Sequence, residues 1–383
     1  MSTTKACDFC GGALGESLYT PRGTRRNIGV FVCQTCGLLQ SVSLAPFEPS
    51  REVSLSCDAD WGNVRHGKGA RFASLLPMLR SLSWNRISRI VDVGSSRGDF
   101  VQWVASEHPG KEIYAIEPDA SVTGSYDERP AITTMHEKFA DVSLPPCDLI
   151  YLVHTLEHAD SMKAMLGGSL DVLSDDGVMV LEVPNVAAMD DPNVVEEFFI
   201  DKHTFHCEPD SLIEYLQHGC GLDAFYTRVD RLNITMLLRH GYSEMAPLPP
   251  IVAPDYGAQI ASYDARLMAN RSLLSEMVNK HLRPLAQRQR VAYWGAGRIF
   301  DALVRYGGLQ ASDVHALVDG HLAGIVKEAN GVEIAQPGLL KYIEPQVVVV
   351  LARGSAGAIK DSAHAMGFRW VVTFDELMDQ VRR

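Results

Sequence analysis

The chain has 383 residues, 46% hydrophobic and 21% charged, with a formal net charge of −12. This is a globular composition, long enough for two or three domains with cores of their own. The acidic balance speaks against a nucleic-acid surface, no apolar run reaches the length of a membrane span, and the polar start Met1-Ser2-Thr3-Thr4-Lys5 is no signal peptide, so a cytoplasmic protein is expected.

The first motif is Cys7-Asp8-Phe9-Cys10 with Cys33-Gln34-Thr35-Cys36. Each Cys-x-x-Cys pair sets two thiolates on one tight turn, and two such turns can close a tetrahedral Zn²⁺ site. Gly11 and Gly37 follow the pairs, where a left-handed residue lets backbone N–H groups point at the sulfurs. Cysteine at all four positions leaves no place for water or substrate, which argues for a structural rather than a catalytic zinc. Two redox dithiols of thioredoxin type are the rival, but no βαβ pattern surrounds them. The remaining cysteines, Cys57, Cys147, Cys207 and Cys220, are scattered as expected of reduced thiols. Val30-Phe31-Val32 enters the second turn and Leu38-Leu39-Gln40 leaves it, giving a β-rich module.

From Gly67 to Leu82, apolar residues recur at helical spacing. Short strands are then expected at Ile87 to Val93, Glu112 to Glu117, Asp148 to Val153 and Val178 to Val183. Helices are expected between them at Phe100 to Glu107 and Met162 to Leu173. Such alternation predicts a parallel sheet covered by helices. Ile90-Val91-Asp92-Val93-Gly94-Ser95-Ser96-Arg97-Gly98 reads as strand, glycine turn and helix start, a place where backbone and free N–H groups approach a ligand. A glycine turn alone is weak. It gains weight from Ile116-Glu117-Pro118 at the next strand end, where an acid accepts from two ribose hydroxyls. Ser96 in place of a glycine and the Asp92-x-Gly94 form favour an adenosyl ligand without a pyrophosphate, S-adenosylmethionine over NAD. The donor-binding set is therefore Asp92, Gly94, Ser95, Gly98 and Glu117, with His136 counted beside them.

The fourth strand runs into His154-Thr155-Leu156-Glu157-His158. Ligands of such sheets bind beyond the carboxyl ends of the strands, so His154, Glu157 and His158 are expected to face the methyl donor or its acceptor. Asp201-Lys202-His203-Thr204-Phe205-His206 adds titratable groups, and histidine is the natural general base near neutral pH. A metal pair on His203 and His206 is disfavoured by the lack of a carboxylate cluster nearby in sequence. The Pro-rich stretch 246–254 reads as a linker, followed by a helix from about Gly257 to Ala286. A second α/β unit follows, with strands at Val291 to Trp294, Ala316 to Val318 and Val347 to Leu351.

On these residues the chain resembles the three-domain nucleotide-sugar C-methyltransferases over nearly its full length. The resemblance rests on Cys33-x-x-Cys36-Gly-Leu-Leu-Gln40, the Asp92 to Gly98 turn, Glu117-Pro118, His154-Thr-Leu-x-His158, Asp201-x-His203, and Gly295-Ala296-Gly297 with Asp319. It implies a structural Zn²⁺, S-adenosylmethionine, and a keto-sugar nucleotide lying between the central and terminal domains. It also implies proton removal beside a ketone, followed by attack of the enolate carbon on the methyl group. His203, His158, Lys202 and His154 are then the candidate catalytic residues. The chain departs from the family at Lys202, where a Glu is usual, at Ile200 in place of an aromatic, at His154 in place of Asn, and at Leu232-Asn233-Ile234 in place of His-Gly-Gly.

The expected architecture is α/β: a zinc-binding module over 1–62 and a doubly wound, Rossmann-like class I methyltransferase domain over 63–245. A linker and helix over 246–290 lead to a smaller Rossmann-like, substrate-binding domain over 291–383. The partner is a small molecule, with neither nucleic acid nor membrane; oligomeric state is not fixed, and a monomer is compatible with it. Because Lys202 replaces a Glu, O-methylation of a sugar or other small metabolite is the alternative, and a catalytically degenerate adaptor is a third reading. An NAD site at Gly295-Ala296-Gly297 is disfavoured because Phe300 stands where the third glycine belongs.

Overall fold

A computed structural model describes residues 6–22, 24, 26–44, 69–241, 255–324 and 326–383. Cys57, the expected linker at 246–254 and the first two residues of the helix expected from Gly67 lie outside the described residues. The chain forms two units. One comprises the described residues up to 44 together with 69–189 and 199–260; the other comprises 190–198 and the described residues from 261 onward.

The first unit begins with two short strands, β1 (Ile28–Val32) and β2 (Leu39–Ser43), paired antiparallel on either side of the second Cys-x-x-Cys turn. Helix α1 (Gly69–Arg80) buries Leu75, Met78 and Leu79, the i, i+3, i+4 spacing of one helical face. Alternation then follows: β3 (Arg89–Val93), α2 (Asp99–Glu107), β4 (Glu112–Ile116), β5 (Ile132–Met135), β6 (Cys147–Val153), α3 (Met162–Val172) and β7 (Leu173–Pro184). The two-residue strand β8 (Phe205–His206) and helix α4 (Pro209–Glu214) lead into a hairpin of β9 (Leu222–Val229) and β10 (Asn233–His240).

The seven-stranded sheet runs β5-β4-β3-β6-β7-β10-β9, with β3 to β7 parallel and β10 antiparallel to both its neighbours. Strand order reverses at β3, which lies between β4 and β6, and this is where an open parallel sheet leaves a crevice at its carboxyl end. The central strands β3 and β6 are nearly continuous buried runs because both faces are covered. On one face, Phe100, Val101 and Val104 of α2 pack with Leu75 and Leu79, and the Phe100 and Tyr151 rings stack at 3.9 Å. On the other face, Leu152, Leu181 and Met236 share a core with Phe9, Leu38 and three of the module cysteines. The cysteine module is thus built into the first unit. Strand β8 fastens it further, pairing with β2 so that Leu39 faces His206 and Gln40 faces Phe205.

The second unit takes most of α5 (Tyr256–Met277), then a π turn at Val278–Leu282 and α6 (Arg283–Ala286), so the helix expected over 257–286 is present but interrupted. Next come β11 (Val291–Trp294), α7 (Arg298–Arg305), β12 (Ala316–Val318), β13 (Glu328–Ala329), β14 (Val332–Ala335), α8 (Leu340–Ile343), β15 (Val347–Val350), α9 (Ala356–Ala365), β16 (Val371–Thr373) and α10 (Phe374–Arg382). Its sheet runs β13-β14-β12-β11-β15-β16 and is parallel except at β13. Apolar clusters cover both faces, and Phe300, from the position that disfavours a dinucleotide loop, is fully buried in one of them. The fold is mixed α/β with two Rossmann-like sheets.

Candidate active site and cysteine cluster

The turn between β3 and α2 is held by the strand beside it. The amides of Gly94 and Ser95 both donate to the Ile116 carbonyl, at 2.8 and 3.0 Å, and Gly98 N donates to Ser95 O at 2.9 Å. Gly98 has φ 75°, and a Cβ there would meet the Tyr126 ring at 2.2 Å. The residue must therefore be glycine for the protein's own packing, apart from any ligand. Tyr126 is fully buried, pairs with Ser95 Oγ at 2.8 Å and donates to Ser96 O at 2.9 Å. Ser96 is left-handed at φ 51°, an uncommon conformation for a non-glycine residue that the surrounding contacts enforce.

Glu117, 1% exposed at the end of β4, accepts from Ser96 N and Asp119 N, both at 3.0 Å, one on each carboxylate oxygen. A carboxylate is an acceptor-only group with about four lone-pair positions, the chemistry that suits hydroxyl donors. Acid and turn are thus bound to each other, and an adenosyl group with a vicinal diol fits their donor and acceptor chemistry. Asp92 is buried in β3 just before the turn. His136 sits one strand outward, its Nδ1 3.2 Å from Glu117 O and its Nε2 3.7 Å from Asp127. Thr155 Oγ1 donates to Val93 O at 2.9 Å, tying the β6 loop to the glycine turn.

At the end of β6 the chain makes a left-handed step at His154 (φ 48°) before a short 3₁₀ turn over Leu156–His158. The four histidine-bearing positions separate here. His154 is turned inward, with 6% of its side chain exposed, and lies between two carboxylates: Nδ1 is 3.2 Å from Glu157 Oε1 and Nε2 is 3.3 Å from Glu182 Oε1. Glu157, expected to face donor or acceptor, is also inward, at 1% exposed. Burial would raise its pKa, but the His154 hydrogen bond and the charges of His158, His154 and His203 outweigh that and hold it below the usual carboxylate range. His158 stays at the surface, 36% exposed, with Nδ1 3.1 Å from the Lys202 carbonyl. Its contact with residue 202 is therefore through the backbone.

His203 is brought to His158 by the β2–β8 pairing and by Thr204 N, which donates to Glu157 O at 2.8 Å. The two rings meet edge to face with centroids 4.8 Å apart. Burial lowers the pKa of both imidazoles, most strongly for His203, where a charge on His158 adds to the effect; Glu157 opposes it in both. Glu157, His158 and His203 each offer a polar atom within 4.8 Å of the others, so a carboxylate does lie beside these histidines, which sequence spacing did not foretell. His206, by contrast, bonds Ser41 at 2.7 Å and is not part of that group. His203 also lines a pocket of about 280 Å³ with Asp8, Gln40, Ser41, Asp160 and Asp201.

The four module cysteines converge. Cys7 and Cys36 sulfurs lie 3.6 Å apart and those of Cys10 and Cys33 3.5 Å apart, close to the edge of about 3.8 Å that 2.3 Å Zn–S bonds give a tetrahedron. These are free thiols, far beyond disulfide length. Backbone amides of Gly12, Thr35 and Cys36 point at the sulfurs from 3.4 Å, and Gln40 Nε2 donates to Cys7 at 3.1 Å. Hydrogen bonding from Cys36 lowers the Cys7 thiol below its ordinary pKa. Gln40 and Tyr215, whose hydroxyl donates to Cys36 O at 2.7 Å, complete the site and carry no sequence signal beyond their distance from a knuckle. In the second unit, Asp319 accepts from the amides of Ala296, His321 and Leu322, so this acid braces its own glycine loop.

A family model described as a methyltransferase domain matches residues 64–228. Among solved structures, the chain is similar to an S-adenosylmethionine-dependent methyltransferase from Clostridium acetobutylicum (10% identity, 46% of this chain and 92% of that one, TM-score 0.35). It is also similar to the CcbJ methyltransferase from Streptomyces caelestis (14% identity, 45% and 90%, TM-score 0.36). A third is the 1,6-didemethyltoxoflavin-N1-methyltransferase from Burkholderia thailandensis (14% identity, 53% and 96%, TM-score 0.33). No curated protein sequence matches the chain. Among the described residues, no helix is long and apolar enough to cross a membrane.

Proposed function

We propose that this chain, an S-adenosylmethionine-dependent methyltransferase of the class I fold, methylates a carbon of a nucleotide-activated keto-sugar. The observation that carries this reading is the meeting of His158 and His203, from separate segments, at 4.8 Å between ring centroids. Bound at the Gly94–Gly98 turn and Glu117, the cofactor supplies an electrophilic methyl group. The protein's task is then to bind and orient the acceptor and to hold its proton. Burial keeps the His203 imidazole neutral near physiological pH, which is the form a base requires. Taking the α-proton of a ketone creates an enolate, and the Lys202 ammonium is the proposed cation for its oxygen. The four-cysteine cluster is proposed to hold one structural zinc, and the second unit, with its own glycine loop, to bind the nucleotide.

O-methylation of a related sugar or small metabolite is the second reading, favoured by Lys202 standing where the resembled family carries a Glu. A hydroxyl acceptor needs a base but no enolate. Mass spectrometry of the purified protein with methyl-labelled donor, against a panel of nucleotide sugars, tests both. C-methylation predicts label on carbon, together with donor-independent deuterium exchange beside the ketone. Label on oxygen without exchange establishes the second reading. A chain that binds no donor would instead fit the degenerate adaptor.

A further inference from the structure

A buried polar chain runs behind His158 and His203. Thr235 Oγ1 donates to Glu182 Oε2 at 2.6 Å; Glu182 Oε1 lies 3.3 Å from His154 Nε2; His154 Nδ1 lies 3.2 Å from Glu157 Oε1; and that same oxygen is 3.9 Å from His158 Nε2. His154 Nδ1 is hydrogen-bonded to Glu157, while Nε2 and Glu182 Oε1 lie close without a hydrogen bond between them. The two carboxylates differ in what else surrounds them. Glu182 also has Thr235 and, at 3.7 Å, the Arg228 guanidinium. Glu157, 1% exposed, has a buried Oε2 with no hydrogen-bond partner among the described residues.

The tautomer of His158 follows from the same contacts. Lys202 O can only accept, so His158 Nδ1 carries a hydrogen, and Nε2 is the open nitrogen turned toward Glu157. Glu157 is buried while His158 is 36% exposed, and at 3.9 Å the carboxylate acts on the ring through its charge, favouring the protonated imidazole over the neutral one. We propose that Glu157 is a positioning residue that raises the proton affinity of the His158–His203 pair, so that a proton taken from the acceptor is held beside a buried carboxylate. The inference rests on the base chemistry proposed above. In that step the acceptor's bond to hydrogen breaks, its electron pair stays on the acceptor, and the proton gives the imidazole its positive charge.

Other charges act on the pair as well. His158 is faced by Lys202 and His154, and His203 by His154 and His206, all opposing a second positive charge. Asp8, Asp160, Asp201 and Arg26 line the pocket beside His203. Glu157 is the carboxylate that works against desolvation for both rings.

The test titrates the histidine rings by NMR in full-length, histidine-labelled protein, with signals assigned through His158→Ala and His203→Ala. Wild type is compared with Glu157→Gln, Glu157→Asp and Glu182→Gln. Removing the charge should lower the His158 titration by about one pH unit or more, with His203 following less. Glu157→Asp should restore most of the shift, Glu182→Gln, whose carboxylate reaches neither ring, should move both titrations less than Glu157→Gln, and donor affinity should be unchanged. If Glu157→Gln does not fold, the Asp and Glu182 variants carry the comparison. Unmoved ring titrations would leave Glu157 a packing role and overturn the proposal. A divalent metal ion held by wild type in addition to one zinc, and lost on Glu157→Gln, would also overturn it. Failure to methylate any acceptor would count against the proposed function, while the ring titrations still decide the role of Glu157.

Discussion

Glu117 serves two partners at once. Its carboxylate holds Ser96 N and Asp119 N, and the same carboxylate is the proposed acceptor for the donor's ribose. Glu117→Ala therefore removes a charge-assisted acceptor from the ligand and a brace from the turn. Donor affinity should fall by about 1.5–3 kcal/mol, or roughly 10- to 150-fold. Isothermal calorimetry with S-adenosylmethionine measures this, and unchanged affinity, or binding of NAD instead, would displace the donor from this turn. His203→Ala leaves that turn untouched. It should lose about 10²- to 10⁴-fold in turnover at full donor occupancy, the usual contribution of a positioned general base. Normal turnover in both His203→Ala and His158→Ala would end the histidine-base mechanism.

Strand β8 is only two residues long, yet it joins the cysteine module to the histidine loop. His206 in that strand is 3% exposed, and burial lowers its pKa to about 3 from the ordinary 6.5. A histidine whose folded-state pKa is depressed gives stability that is complete above the unfolded value. That stability is lost as pH falls, because the unfolded chain binds a proton the folded chain refuses. Between about pH 6.5 and pH 3 this one group should cost about 1.4 kcal/mol per pH unit. His206→Gln, which can still bond Ser41, should flatten the decline of stability over that interval in denaturant titrations at stepped pH. An unchanged slope would show that other groups carry the acid sensitivity.

At the scale of the whole chain, the cysteine cluster bears on more than its own loops. Phe9, Cys7, Cys33 and Cys36 belong to the same core as Leu181, Met236 and Leu212, and the Phe9 ring lies 4.9 Å from Tyr215. Zinc binding at such a site is also folding energy. Cys33→Ser or chelation should release one metal and speed amide exchange in β2, β8, α4 and β10, while β11 and β15 of the other unit, with their separate core, stay protected. Native protein with no stoichiometric metal would remove the zinc proposal. Exchange confined to the first 44 residues would show the module to be energetically independent.

The sequence by itself determined the parts whose cause is local. Strand and helix alternation, the glycine turn, the acid at the end of β4 and the paired Cys-x-x-Cys turns each depend on a few consecutive residues, and were legible for that reason. The β9–β10 hairpin carries no such local signal, since β10 is a continuous buried run from Ile234 to Leu238 and β9 shows no in-out alternation. Tertiary structure alone decided which titratable groups meet. His154 and His158, four apart, meet the same Glu157 oxygen, but the left-handed step at His154 leaves its ring buried while the 3₁₀ turn leaves His158 exposed. His203 arrives from 45 positions beyond His158 through a two-residue strand that carries no periodic signal. The pairing energy that fixes it comes from β2 and the core beneath, not from the segment itself.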